Sequence, residues 1–138
     1  MKIINNFWGM PLLMRYLVLL GLLGPFIALY SVSSDYVYGF DGVKRGLEVE
    51  ALTKFLIVLC MFPTFLGSIM MLFKIRASIL LYSGGWFIVC LSPLLVDSIK
   101  TLNGMWLYQF IFEMFIGFAV VCYFVINKRV KEYFAIDE

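Results

Sequence analysis

The stretch Lys54-FLIVLCMFPTFLGSIMMLF-Lys74-Ile75-Arg76-ASILLYSGGWFIVCLSPLLV-Asp97 decides the fold. Its two apolar runs, Phe55 to Phe73 and Ala77 to Val96, are parted by a short segment that carries two cations. A helix rises 1.5 Å per residue, so about 20 mostly apolar residues cross a hydrocarbon core of about 30 Å. Two such runs joined by Lys-Ile-Arg read as a helical hairpin through a bilayer.

Working outward, Tyr16 to Val32 and Trp106 to Ile126 have the same character. The first of these can begin near Pro11, with Arg15 snorkelling toward the headgroups. Lys2 and Arg15 before it and Ser31 and Ser33 after it give it a signal-peptide layout; we count it as a retained span. Composition agrees with a lipid solvent. The chain is 14% charged and 63% hydrophobic with a mean hydropathy of +0.96, against roughly 25% charged and 45 to 50% apolar in soluble domains. Folded in water it would expose large apolar patches. The expectation is an all-α integral membrane bundle of four transmembrane helices, one membrane domain over 1–138 with spans near 16–32, 55–73, 77–96 and 106–126. No repeat or low-complexity tract divides it.

Cation placement predicts the orientation. Lys2, Arg15, Lys74, Arg76, Lys128, Arg129 and Lys131 fall on one side of such a bundle, and Lys44, Arg45, Lys54 and Lys100 on the other. Both termini are therefore expected in the cytoplasm. The compact chain and the lack of targeting signals point to a bacterial cytoplasmic (inner) membrane.

Lipid tails are as apolar as leucine, so membrane helices associate through small residues and interhelical hydrogen bonds. Each span offers such a face at helical spacing: Gly21, Gly24, Ala28 and Ser31; then Cys60, Thr64, Gly67, Ser68 and Met71; then Ser78, Tyr82, Gly85 and Ser92; then Gln109, Glu113 and Gly117. Pro25, Pro63 and Pro93 interrupt three spans and each frees a carbonyl one turn earlier.

Glu113 is the one formal charge well inside a span. Intramembrane acids turn inward, pair or neutralise, and often mark an ion or substrate path. Gln109, one turn away, and Tyr82, Thr64 or Ser92 on other helices are its candidate partners. The reading beside this one is a carboxyl that only joins helices by a hydrogen bond.

The outer loop, 33–54, divides in two. Its first half is turn-forming and aromatic, with Tyr36, Tyr38 and Phe40 suited to recognition of a partner. Val43 to Lys54 reads as a short amphipathic helix that lies on the membrane or lengthens the second span.

Several functions lack their residues. Without histidine the commonest metal ligand and general base is missing, so no metal, no cofactor and no enzyme activity are expected. Cys60, Cys90 and Cys122 lie in three different runs and offer no CxxC pair. There is no dense basic face for nucleic acid. The expected function is non-catalytic: binding another membrane protein as an accessory subunit or immunity-like inhibitor, with a homo-oligomer as the other partner. The alternative is a small proton- or cation-coupled transporter or channel using Glu113.

Overall fold

The computed structural model describes residues 2–34, 36–38, 42–46, 50–92 and 105–135. Helix α1 (Lys2–Gly9) turns at Pro11 into α2 (Leu12–Ser33). A ribbon of β1 (Tyr36–Tyr38) and β2 (Lys44–Gly46) follows. Then come α3 (Ala51–Cys60), α4 (Phe62–Leu72), α5 (Ala77–Leu91), α6 (Met105–Ile126) and α7 (Lys128–Ala135).

Two stretches are long and apolar enough to cross a membrane, α2 with 22 residues and α3 plus α4 with 22. At 1.5 Å per residue each reaches about 33 Å. A third candidate is α6 with α7, bent by 60° at Asn127. The described part of α5 has 15 residues, and the remainder of the expected third span, with Pro93, lies outside the described residues.

The surface carries the membrane signature. Leu80, Phe115 and Ile126 are exposed, whereas Thr64, Ser68, Ser78, Ser83 and Ser92 are buried. Large apolar side chains cover the outside while hydroxyls are buried among apolar groups such as Met14, Val18 and Phe124, as expected when the solvent is hydrocarbon.

Local chemistry explains the breaks. Pro63 has no N–H to give Leu59, so the chain tightens at Met61, whose N–H reaches Val58 O at 3.1 Å. The Thr64 hydroxyl donates to Met61 O at 2.7 Å, giving that carbonyl a second partner beside the Phe65 N–H. Helix α4 ends in a Schellman motif, with Ile75 N–H on Met70 O and Lys74 N–H on Met71 O at 3.1 and 3.0 Å. The left-handed residue that this motif needs is Lys74, at φ 58°. The chain thereby reverses and enters α5 at Ala77.

Asn127 caps α7. Its side-chain oxygen accepts the N–H groups of Arg129 and Val130 at 2.9 and 3.3 Å. Val130, Tyr133 and Phe134 then turn inward while Lys128, Arg129, Lys131 and Glu132 stay exposed. The Tyr133 hydroxyl donates to Met71 O at 2.9 Å, and Lys74 Nζ stands 5.3 Å from its ring. From the other terminus, Asn6 Nδ2 donates to Leu72 O at 2.9 Å. Helices α1 and α7 thus meet the α4–α5 turn at one end of the bundle. There Met10, Met14, Met71, Val130 and Tyr133 belong to one buried cluster that continues to Val18, Tyr82 and Phe124.

One expectation needs correction. Val43 to Lys54 is not one amphipathic helix: Lys44–Gly46 pairs antiparallel with Tyr36–Tyr38, and helix begins only at Ala51. Gly42 at φ 71° and Gly46 disfavour a helix there, and Tyr-Val-Tyr favours a strand. Ala51 to Lys54 lengthens the second apolar stretch instead. The tail after Asn127 is also more than cations at a span end: it is a docked amphipathic helix.

Candidate functional site

The interior is assembled at glycines. A Cβ on Gly67 of α4 would lie 2.8 Å from the Cα and N of Tyr82, and one on Gly85 of α5 would lie 2.6 Å from Thr64 N. These are backbone atoms, so α4 and α5 touch main chain to main chain. Helix α2 joins them at Gly21, where a Cβ would stand 2.8 Å from Tyr82 Cε2 and 3.1 Å from Thr64 O. Ser68, fully buried beside Gly21, donates to Thr64 O at 2.9 Å.

Tyr82 is the hub of this interior. It is fully buried, and its hydroxyl donates to Leu17 O of α2 at 2.7 Å. A buried phenol needs such an acceptor, and here a backbone carbonyl takes the role expected of Glu113. The Phe124 ring of α6 meets Tyr82 edge-on at 5.8 Å between centroids, and Trp86 lies 6.5 Å away.

Glu113 of α6 is half-buried. The Trp86 indole N–H donates to the Glu113 backbone carbonyl at 3.3 Å, joining α5 to α6. One turn on, Gly117 lets Trp86 approach: a Cβ there would lie 3.0 Å from Nε1. Trp86 therefore lies beside the Tyr82 ring on its own helix and bonds to the main chain of α6 at Glu113. Trp86 was not singled out from the sequence. The signal was its place one turn after Tyr82, on the face that also holds Gly85.

The other expected site residues are dispersed. Gln109 is one turn before Glu113 on α6, but its side chain lies outside the described residues. Tyr36 and Tyr38 are in β1, with Tyr36 opposite Gly46 and Tyr38 opposite Lys44. Phe40 lies outside the described residues. Among the described residues no cluster of His, Cys, Asp and Glu that could hold a metal ion is found. No family model, no curated protein and no solved structure matches the chain.

Proposed function

We propose that the chain is a four-span membrane protein with both termini in the cytoplasm of a bacterial cell, acting by binding another membrane protein as an accessory subunit or immunity-like inhibitor. The observation that carries this reading is the closed interior. Helices α2, α4 and α5 meet at Gly21, Gly67 and Gly85, and the space among them is filled by buried Ser68, Met71 and Tyr82. Little room is left there for a solute, so the work falls to the outer faces. Helix α6 offers the richest one, with Tyr108, Ile111, Phe112, Phe115 and Phe118 exposed along one side. Aromatic residues are favoured in protein interfaces, and a transmembrane segment of the partner suits a face at this depth.

Orientation rests on the shared end of α1, α7 and the α4–α5 turn, which gathers Lys2, Arg15, Lys74, Arg76, Lys128, Arg129 and Lys131. In the positive-inside sense that end is cytoplasmic. Single cysteines at Lys2, Asp41, Asn103 and the tail after Asn127, in a cysteine-free background, test it. Asp41 and Asn103 should react with an impermeant reagent in intact cells; labelling of the tail there would overturn the orientation.

A second reading, a proton- or cation-coupled transporter, draws on Glu113 itself, an intramembrane acid half-exposed at a helix seam. Four helices enclose little space, so this reading needs an oligomer. Purification from the native membrane in mild detergent separates the two. A stoichiometric unrelated partner supports the binding role, and a homo-oligomer with pH-dependent transport supports the other.

A further inference from the structure

At the end where the termini meet, Gly9, Met10, Pro11, Leu12, Arg15, Arg129, Glu132 and Tyr133 line a cleft of about 480 Å³. One wall is the α1–α2 turn and the other is α7. Arg15 is held in place before any ligand arrives. Its Nε donates to Met10 O at 2.9 Å, its Nη2 donates to Trp8 O, and its guanidinium lies 5.2 Å from the Trp8 ring centroid. Arg129 stands across the cleft in the first turn of α7, where its backbone is fixed by the Asn127 cap. The acid of the lining, Glu132, has a cation of its own in Lys128 at 3.8 Å. Helix α2 opens on the same cleft after Pro11 with no side-chain cap and no acid in its first turn. Its positive dipole end adds to the two arginines.

We infer that this cleft binds the phosphate of an anionic lipid headgroup. Two arginines lining one cleft suit a phosphate, whose oxygens accept paired N–H bonds from the arginine fork. Apolar Met10 and Leu12 line the same space, next to exposed Trp8 and Tyr16, which belong at the headgroup level. Basic pockets at helix ends on the cytoplasmic side are where lipid phosphates lodge. The inference does not depend on the proposed partner-binding role, since it needs only that this end lie at a membrane surface.

The test uses the full chain, purified in neutral detergent and depleted of lipid. Thermal unfolding is followed while phosphatidylglycerol, phosphatidylcholine or inorganic phosphate is added. Phosphatidylglycerol should raise the midpoint and phosphatidylcholine should not. Arg129 is exposed, so Arg129→Gln should fold, and it should weaken phosphatidylglycerol binding by about ten-fold or more, as for loss of a charged hydrogen bond. Lys131→Gln removes the same charge from α7 outside the cleft lining, leaves the Lys128–Glu132 pair in place, and should weaken binding by no more than about five-fold, the effect of one surface cation. Equal losses in the two variants would overturn the site in favour of diffuse surface charge. The same shift with phosphatidylcholine would overturn the phosphate specificity, and saturation by inorganic phosphate alone would overturn the lipid source.

Discussion

Gly67→Ala should separate α4 from α5. The added Cβ would lie 2.8 Å from Tyr82 Cα and N and 2.9 Å from its Cβ, while ordinary contact begins at 3.4 Å, so the seam must open by about 0.6 Å. Two of the three atoms met are main chain and the third is a Cβ fixed to it. No rotamer change relieves them, and α5 must move as a body, pulling the Tyr82 hydroxyl from Leu17 O, now 2.7 Å away. Overpacking of this kind costs about 1 to 3 kcal/mol. The substitution also gains up to about 1 kcal/mol of helix propensity. A comparison with wild type would therefore understate the clash. Gly84→Ala is the proper reference, because it gains the same propensity and its Cβ meets nothing within 4 Å. Unfolding of the two variants in mixed micelles should differ by about 1 to 3 kcal/mol, with Gly67→Ala the weaker. If both unfold together, the helices do not touch at Gly67 and the packing argument fails.

Tyr82→Phe keeps the ring and loses the bond to Leu17 O, and should lower stability by about 0.6 and at most about 1.7 kcal/mol, read in the same unfolding assay. Tyr133→Phe should loosen α7 while leaving the spans intact, so hydrogen exchange at Lys128–Ala135 should rise without a matching rise in α4; a uniform rise would mean that α7 is not a separate docked unit. Glu113→Gln keeps a hydrogen-bonding side chain and should fold and retain partner binding. A transporter would lose transport with the glutamine, because its side chain cannot change charge. Gly85→Leu places a large side chain where even a Cβ would lie 2.6 Å from Thr64 N. It should fail to give a folded protein in detergent, and normal yield and stability would place Gly85 on the lipid side.

The buried faces were legible because membrane helices mark their contacts with small residues. Ser78, Tyr82, Gly85 and Ser92 are all buried, as are Thr64, Gly67, Ser68 and Met71, whereas Cys60 beside them and Gly24 and Ser31 on the first face are only half-buried. The start of α2 at Leu12, beyond Pro11, and the disturbance at Pro63 also follow from local chemistry. What escaped the sequence depended on backbone acceptors or on short segments. Leu17 O, the acceptor for Tyr82, looks like every other carbonyl in the chain. Asn127 followed by Val130, Tyr133 and Phe134 does carry a cap and an i, i+3, i+4 face, but the four charged residues from Lys128 to Glu132 counted only as charges at a span end. In the loop, Gly42 and Gly46 outweighed an apolar pattern too short to establish a helical period. On α6 the spacing of Glu113 and Gly117 was legible, but not that Trp86 would pack on Gly117 and donate to the Glu113 backbone carbonyl.

The Schellman turn at Lys74 also bears on the order of assembly. It joins the two helices with the closest seam, and contacts close in sequence form early because little loop entropy is lost in making them. The α4–α5 pair can therefore zip as a unit as soon as both helices exist, with Gly67 and Gly85 as its teeth. It then presents a finished surface of Tyr82, Ser68 and Met71 on which the distant segments α2 and α7 dock. A substitution in the seam should slow the formation of the bundle, whereas one at Leu17 or Tyr133 should mainly hasten its loss.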